Sequence, residues 1–366
     1  MDELGAWFDT PSLSAGAAVV GRWADAGPLP DIDLRPSGLR VRPAPGGPAP
    51  TSDPAALQEL RIVFDAVDTA AVKDFWRTAF GYRATGGERL VDPLHRDPDI
   101  SVLPTDDVRP LRNRFHVDVV RPSAVVETVR GDRKPTGAWG VMLPDSEGNE
   151  LDLVPQDSLS PEASDWQTLF AAMTFYPTAS AAQAVQLVTA VAQLADAAGI
   201  PLGLDIRADG VVLDHGKDKW EEAGEAFVEL ATRIQTAAHD LGLTAKTDEL
   251  RFVQLGLDAV DVPAVQAFWA TVLGYTPDPR VEVGEIYDPR RLNPGFIFQQ
   301  LDASETERRQ QRNRIRLELD IAHDQLPARV AQALQAGGQI RAEQPGRCSL
   351  TDPEGNELDL VTRNPL

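Results

Sequence analysis

The side chains that could do chemistry are scattered in this sequence, and most catalytic constellations fail on spacing. Five histidines and one cysteine serve 366 residues, and no Ser/His/Asp order can be assigned among them. Cys348 has no histidine near it in sequence, and a thiol so placed reads as buried and inert. The blocks Asp145-Ser-Glu-Gly-Asn-Glu150 and Asp352-Pro-Glu-Gly-Asn-Glu357 lack the glycine spacing and the following helix of a phosphate loop. They read as turns feeding a strand. Phe75-Trp76 and Phe268-Trp269 could stack on a ligand, but an aromatic pair on a short helix reads first as core, given the apolar area it buries. What remains is charge at a period of two. Arg316, Glu318 and Asp320 share one strand face, as do Glu357 and Asp359. Acids converging there without a cation would raise at least one pKa by repulsion.

Composition narrows the partners. Acidic residues outnumber basic ones 56 to 35, for a net charge of −21, a field that repels nucleic acid and anionic membranes. No apolar run approaches the roughly 18–20 residues of a membrane span, and the first residues lack the basic and apolar regions of a secretory signal. A single cysteine excludes a disulfide framework. With 42% hydrophobic and 25% charged residues, the chain reads as globular and cytoplasmic. Its expected partner is a small-molecule ligand, not a nucleic acid or a membrane. The length predicts two to three domains at roughly 150 residues each.

Positioning these groups falls to four pieces, at 1–43, 57–156, 165–245 and 249–366. The proline- and glycine-rich stretch over 42–56 reads as a linker, and 155–165 as a shorter one. The second and fourth pieces repeat each other. Asp68 with Phe75-Trp76 and Gly81-Tyr82 matches Asp261 with Phe268-Trp269 and Gly274-Tyr275, and the two Asp-x-Glu-Gly-Asn-Glu-Leu-Asp-Leu-Val blocks follow in the same order. The first and third pieces echo each other more faintly, through Asp33-Leu34-Arg35 and Asp205-Ile206-Arg207.

In the third piece, Ser180 and Gln183 form a capping box ahead of a stripe of Val188, Val191, Leu194 and Ala195, stopped by Gly199. A second helix is expected over about Lys219–Leu241, after short strands at Gly203–Arg207 and Val211–Asp214. The first piece is too short to bury its own core and should pack on the middle piece or on a second copy of the chain, in a homodimer. Each repeated piece opens with a strand, Leu60–Val67 or Val253–Val260, and reads as two small strand–helix–strand modules. The fold class is α+β.

The order of strand, Asp-(x)6-Phe-Trp, Gly-Tyr, then Arg-Phe-His116-Val-Asp118, then Asp-Pro-Glu-Gly-Asn-Glu before a last strand resembles the glyoxalase-like branch of the vicinal oxygen chelate superfamily, which includes glyoxalase I, bleomycin-resistance proteins and extradiol dioxygenases. The resemblance implies two glyoxalase-like domains of paired βαβββ modules curled around a cleft. The other two pieces are weakly similar to pterin-4a-carbinolamine dehydratase. That family's two consecutive histidines before a proline read Gly199-Ile200-Pro201 here, and Gly27-Pro28-Leu29-Pro30 in the N-terminal copy. These dehydratase-like α/β segments therefore read as scaffold.

In the superfamily, the resemblance implies, cleft residues come from the first, middle and last strands. The register points to Arg61, His116 and Asp152 in the first domain, with Asp118 in the same cleft, and to Gln254 and Asp359 in the second. Arg316 or Glu318 stands at the middle position of the second domain. A guanidinium cannot ligate a metal, so Arg61 suits an anionic ligand group instead, or pairs with Asp152 or Asp118. The leading expectation is metal-independent binding of a small organic molecule, anionic in one version. The alternative is a metal-dependent lyase, isomerase or dioxygenase using the second domain, with Mg²⁺, Mn²⁺ or Ni²⁺ on Gln254, Gln299, Glu318 and Asp359. Residual pterin-4a-carbinolamine dehydratase activity is a third.

Overall fold

The computed structural model describes residues 5–42, 57–280 and 283–363. The expected linker over 42–56 lies, apart from Arg42, outside the described residues. Caps set the two Phe-Trp helices. Asp68 accepts from the Ala71 N–H at 3.0 Å to open the Thr69–Phe80 helix, and Asp261 accepts from Ala264 at 3.1 Å to open Val262–Leu273. Gly81 and Gly274 end these helices in the left-handed conformation. Trp76 and Trp269 are wholly buried, and their Nε1 groups donate to Asp145 at 2.9 Å and Asp352 at 3.0 Å. The same aspartates accept the backbone N–H groups of Asn149 and Asn356. Each Gly-Asn block is therefore a turn that bolts its helix to the last strand, and both indoles belong to the core.

Among the described residues the strands form three sheets. The two glyoxalase-like sheets each combine modules from both sequence repeats. Gln58–Ala66 pairs antiparallel with Ile315–Ala322, and Phe252–Ala259 pairs antiparallel with Phe115–Pro122. Glu357–Arg363 and Glu150–Gln156 lie parallel beside these partners. Two asparagines fasten the exchange. Asn113 donates to Asn149 at 2.6 Å and accepts from the Arg314 N–H at 2.9 Å. Asn313 donates to Asn356 at 2.8 Å and accepts from the Arg114 N–H at 2.9 Å. Alternation then sorts the side chains. Leu60, Ile62 and Phe64, like Leu255, Leu257 and Phe115, pack into one core under the helices, which leaves the intervening polar residues on the opposite faces.

The third sheet merges the first and third pieces. Ile32, Asp33 and Leu34 lie opposite Ile206, Asp205 and Leu204, and Leu13–Ala26 packs on Ala181–Ala198. The N-terminal piece thus finds its core on the middle segment. The Ser180 cap forms, with its hydroxyl accepting from the Gln183 N–H at 3.2 Å. The single helix expected over Lys219–Leu241 instead breaks at Gly224, where φ is +55°, into Lys219–Ala223 and Glu225–Asp240. Ala171–Pro177 is an additional strand without alternation in its sequence, because both its faces are buried.

Arginines on the helix-free face of this sheet grip the glyoxalase-like part at equivalent loops. Arg35 donates to the carbonyls of Arg290 and Arg291, and Arg207 to those of Leu94 and His95. No helix among the described residues is long and apolar enough to cross a membrane.

Candidate metal centre

The exchange of modules decides which polar residues meet. In one sheet Gln254 faces Asp118 and Gly256 faces His116, with Asp152 beside Asp118 on the next strand. All project from the face opposite the core. One ligand atom from each of His116, Asp118 and Asp152 falls within 4.8 Å of the others. His116 Nε2 lies 3.6 Å from Asp118 Oδ1, and Gln254 Nε2 lies 3.3 Å from Asp118 Oδ2. The imidazole can lie flat over the strand because Gly256 has no side chain: a Cβ there would stand 2.0 Å from the ring.

This cluster is electrostatically unfinished. Asp118 Oδ1, Asp152 Oδ1 and Gln254 Oε1 are buried oxygens without hydrogen-bond partners, each costly to leave so. Burial pushes the Asp118 carboxyl up to about 6; the nearby Asp152 and Glu150 add to the rise, and His116 and Lys217 oppose it. Burial also raises Asp152, with Glu150 adding to it and His116 opposing. Three buried, unpartnered oxygens beside an imidazole form a donor set that suits a divalent cation.

The other sheet has the same register and the opposite outcome. Arg61 faces Glu318, Val63 faces Arg316, and Asp359 lies beside Glu318. Arg61 thus stands where Gln254 stands, and Arg316 where His116 stands. Arg61 pairs with Glu318 and, at 3.1 Å, with Asp320. Arg316 pairs with Asp359 and reaches Asp65 at 3.4 Å, and Arg347 reaches Asp359 at 2.6 Å and Glu318 at 3.2 Å. Guanidinium groups fill the place of an ion here.

Several expected groupings therefore change. Arg61 does not share a cleft with His116 and Asp152 and pairs with neither Asp118 nor Asp152, because its strand belongs to the other sheet. Gln254 is likewise separated from Glu318 and Asp359 and joins His116 instead. Gln299 faces Asp258, four residues along the strand from Gln254, which is roughly 13 Å at strand rise. Its side chain is exposed and cannot complete a site with Gln254. Arg314 takes no part in either cluster and donates to Asn149 at 3.0 Å and to the Gly148 carbonyl at 3.1 Å. Gly256, which frees space for the imidazole, carries no signal in the sequence beyond being a glycine inside a strand.

The family profile of the glyoxalase-like domain matches residues 61–154 and again 254–361, together more than half of the chain, which therefore belongs to that family. Among solved structures, glyoxalase I from Zea mays is similar at 11% identity and TM-score 0.39, over 83% of this chain and 93% of that one. A mutant of the fosfomycin resistance protein FosX from Listeria monocytogenes, complexed with Mn(II), is similar at 13% identity and TM-score 0.24, over 29% and 84%. A glyoxalase-related enzyme from Fulvimarina pelagi shows 17% identity and TM-score 0.23, over 30% and 84%. No curated protein matches the sequence. None of these findings bears on the dehydratase-like resemblance of the other two segments.

Proposed function

We propose that His116, Asp118 and Asp152, with Gln254 beside them, hold one divalent cation at which a small organic molecule binds. The observation that carries this reading is the convergence of one imidazole and two carboxylates within 4.8 Å, with three buried oxygens unpartnered. The donor set, nitrogen plus oxygen, favours Mn²⁺, Fe²⁺, Ni²⁺ or Zn²⁺ over Mg²⁺. A bound ion would act as a Lewis acid toward an oxygen of that molecule. Asp152 is the least buried of the three, so the molecule approaches from its side, while Gln254 orients Asp118 through its amide.

The metal-independent reading relied on Arg61 as a cation open to a ligand, and the ion pairs to Glu318 and Asp320 leave it little support. A lyase, isomerase or dioxygenase reaction at the His116 cluster is the enzymatic form of this proposal. Calorimetric titration of metal-stripped protein with Mn²⁺ and Ni²⁺ tests it. One site per chain is expected at about micromolar affinity, lost in His116→Ala and in Asp152→Asn. Binding no tighter than about millimolar in the unaltered protein would sink the proposal.

A further inference from the structure

A second site is suggested by a cavity of about 300 Å³ between the helix-free face of the third sheet and the 288–295 loop. Its volume is at the lower end of the roughly 300–1,000 Å³ typical of small-molecule sites. Pro98, Pro201, Phe252, Tyr287, Leu292 and Pro294 give it apolar walls. Its charged residues are mostly matched already. Arg35 pairs with Asp205 at 2.8 Å, Arg96 with Asp205 at 3.0 Å and with Asp214, and Lys217 with Glu285 at 2.6 Å.

Arg291 is the exception. Its guanidinium lines the cavity and has no hydrogen bond or ion pair to another described side chain, while Arg35 holds its backbone carbonyl at 3.0 Å. The loop presents it at a positive φ of 52°, a conformation that a residue other than glycine adopts only when its surroundings impose it. Burial lowers its pKa; Asp214 and Asp205 favour the charge and Arg35 and Arg96 oppose it. A guanidinium nonetheless stays protonated. Gly216 supplies the space it occupies, since a Cβ there would stand 2.3 Å from Arg291 Nη1.

His215 senses the charge of Arg291 from the other side of the sheet. It borders the same cavity and is 3% exposed, but its side chain shares the helix-bearing face with Val211 and Leu213, where its Nδ1 is buried without a partner. Its ring stacks on Phe227 at 4.3 Å between centroids. Burial, and then the charge of Arg291, push its pKa down to about 4, so at neutral pH it is an uncharged imidazole with an unused hydrogen-bonding nitrogen.

We infer that this cavity binds a small organic carboxylate with an apolar body, its carboxylate held by Arg291, whose charge His215 senses across the strand. A guanidinium fork matches a carboxylate with two parallel hydrogen bonds, and the proline and aromatic walls suit the remainder. The site lies apart from the His116 cluster and does not depend on a metal there.

Benzoate serves as the probe, titrated calorimetrically into full-length protein held in EDTA. Saturable binding at about millimolar affinity or tighter is expected, weakened at least tenfold by Arg291→Gln and unchanged by His116→Ala. In the unaltered protein, benzoate should also shift the His215 ring resonances, a readout independent of whether any variant folds. Lack of saturation, equal affinity in a folded Arg291→Gln protein, or binding that leaves His215 unmoved would each overturn the inference. Because the protein is metal-free and His116→Ala is included, failure of the metal site would not be mistaken for failure of this one.

Discussion

Arg316 occupies in one glyoxalase-like sheet the position that His116 occupies in the other. His116 faces Gly256, and Arg316 faces Val63, each two residues along the strand from the position facing Gln254 or Arg61 in the same antiparallel pairing. Two copies of one framework thus diverge: one face is left short of positive charge, and the other is closed by arginines.

The Asp118 carboxyl should make metal-free protein less stable as pH rises. Its folded pKa is about 6 against an ordinary value of 3.8, so between these values the folded state holds a proton that the unfolded state has released. Stability therefore falls as pH rises from about 4 to about 6, by up to about 3 kcal/mol, and then levels off. Asp118→Asn should remove most of this slope and raise the urea midpoint at pH 7.5 in EDTA, while abolishing metal binding. A variant with the slope intact would show that another group is responsible.

Gly256→Ala tests the space under the imidazole. The added methyl meets the His116 ring at 2.0 Å, so the ring must turn and its nitrogen must leave the carboxylates. Metal affinity should drop at least tenfold, with a stability loss of only about 1–2 kcal/mol. Calorimetry and thermal unfolding, run side by side, check both parts.

Equivalence of the two sheets can be tested by construction. Arg61→Gln combined with Val63→Gly and Arg316→His copies the Gln254, Gly256 and His116 positions opposite Glu318 and Asp359. Metal stoichiometry should rise from one to two per chain, as read by elemental analysis after equilibration with Ni²⁺. A stoichiometry that stays at one would mean that Arg347, which also holds Glu318 and Asp359, is enough to block the ion.

Arg207 should be costly to remove. It is 4% exposed, pairs with Asp33 at 2.6 Å and donates to the carbonyls of Leu94, Ile32 and His95. Arg207→Ala leaves these acceptors buried and loosens the third sheet from the glyoxalase-like part. A destabilisation of roughly 3–5 kcal/mol is expected from urea unfolding. A loss below about 1 kcal/mol would show that the contact carries little energy.

Much of this molecule is legible locally. Asp68 and Asp261 mark helix starts, Gly81 and Gly274 mark helix ends, and the alternation of Leu317 with Glu318 assigns faces. Such signals survive in sequence because caps, turns and strand parity act over a few residues. The break at Gly224 and the doubly buried Ala171–Pro177 strand are not legible: a lone glycine does not always end a helix, and burial on both faces erases the alternation that marks a strand.

The repeat, its helices, and the faces on which Arg61, His116, Asp152, Gln254, Glu318 and Asp359 lie follow from residue order alone. Partner choice does not. Two nearly equivalent modules offer each other the same apolar face and the same parity, so pairing within a repeat and pairing across repeats read identically in one dimension. The choice is made by contacts distant in sequence, such as Asn113 with Arg314 and Asn313 with Arg114. Those contacts carry Gln254 to His116 and Arg61 to Glu318, and so decide which sheet gathers His116, Asp118 and Asp152 and which is filled by arginines.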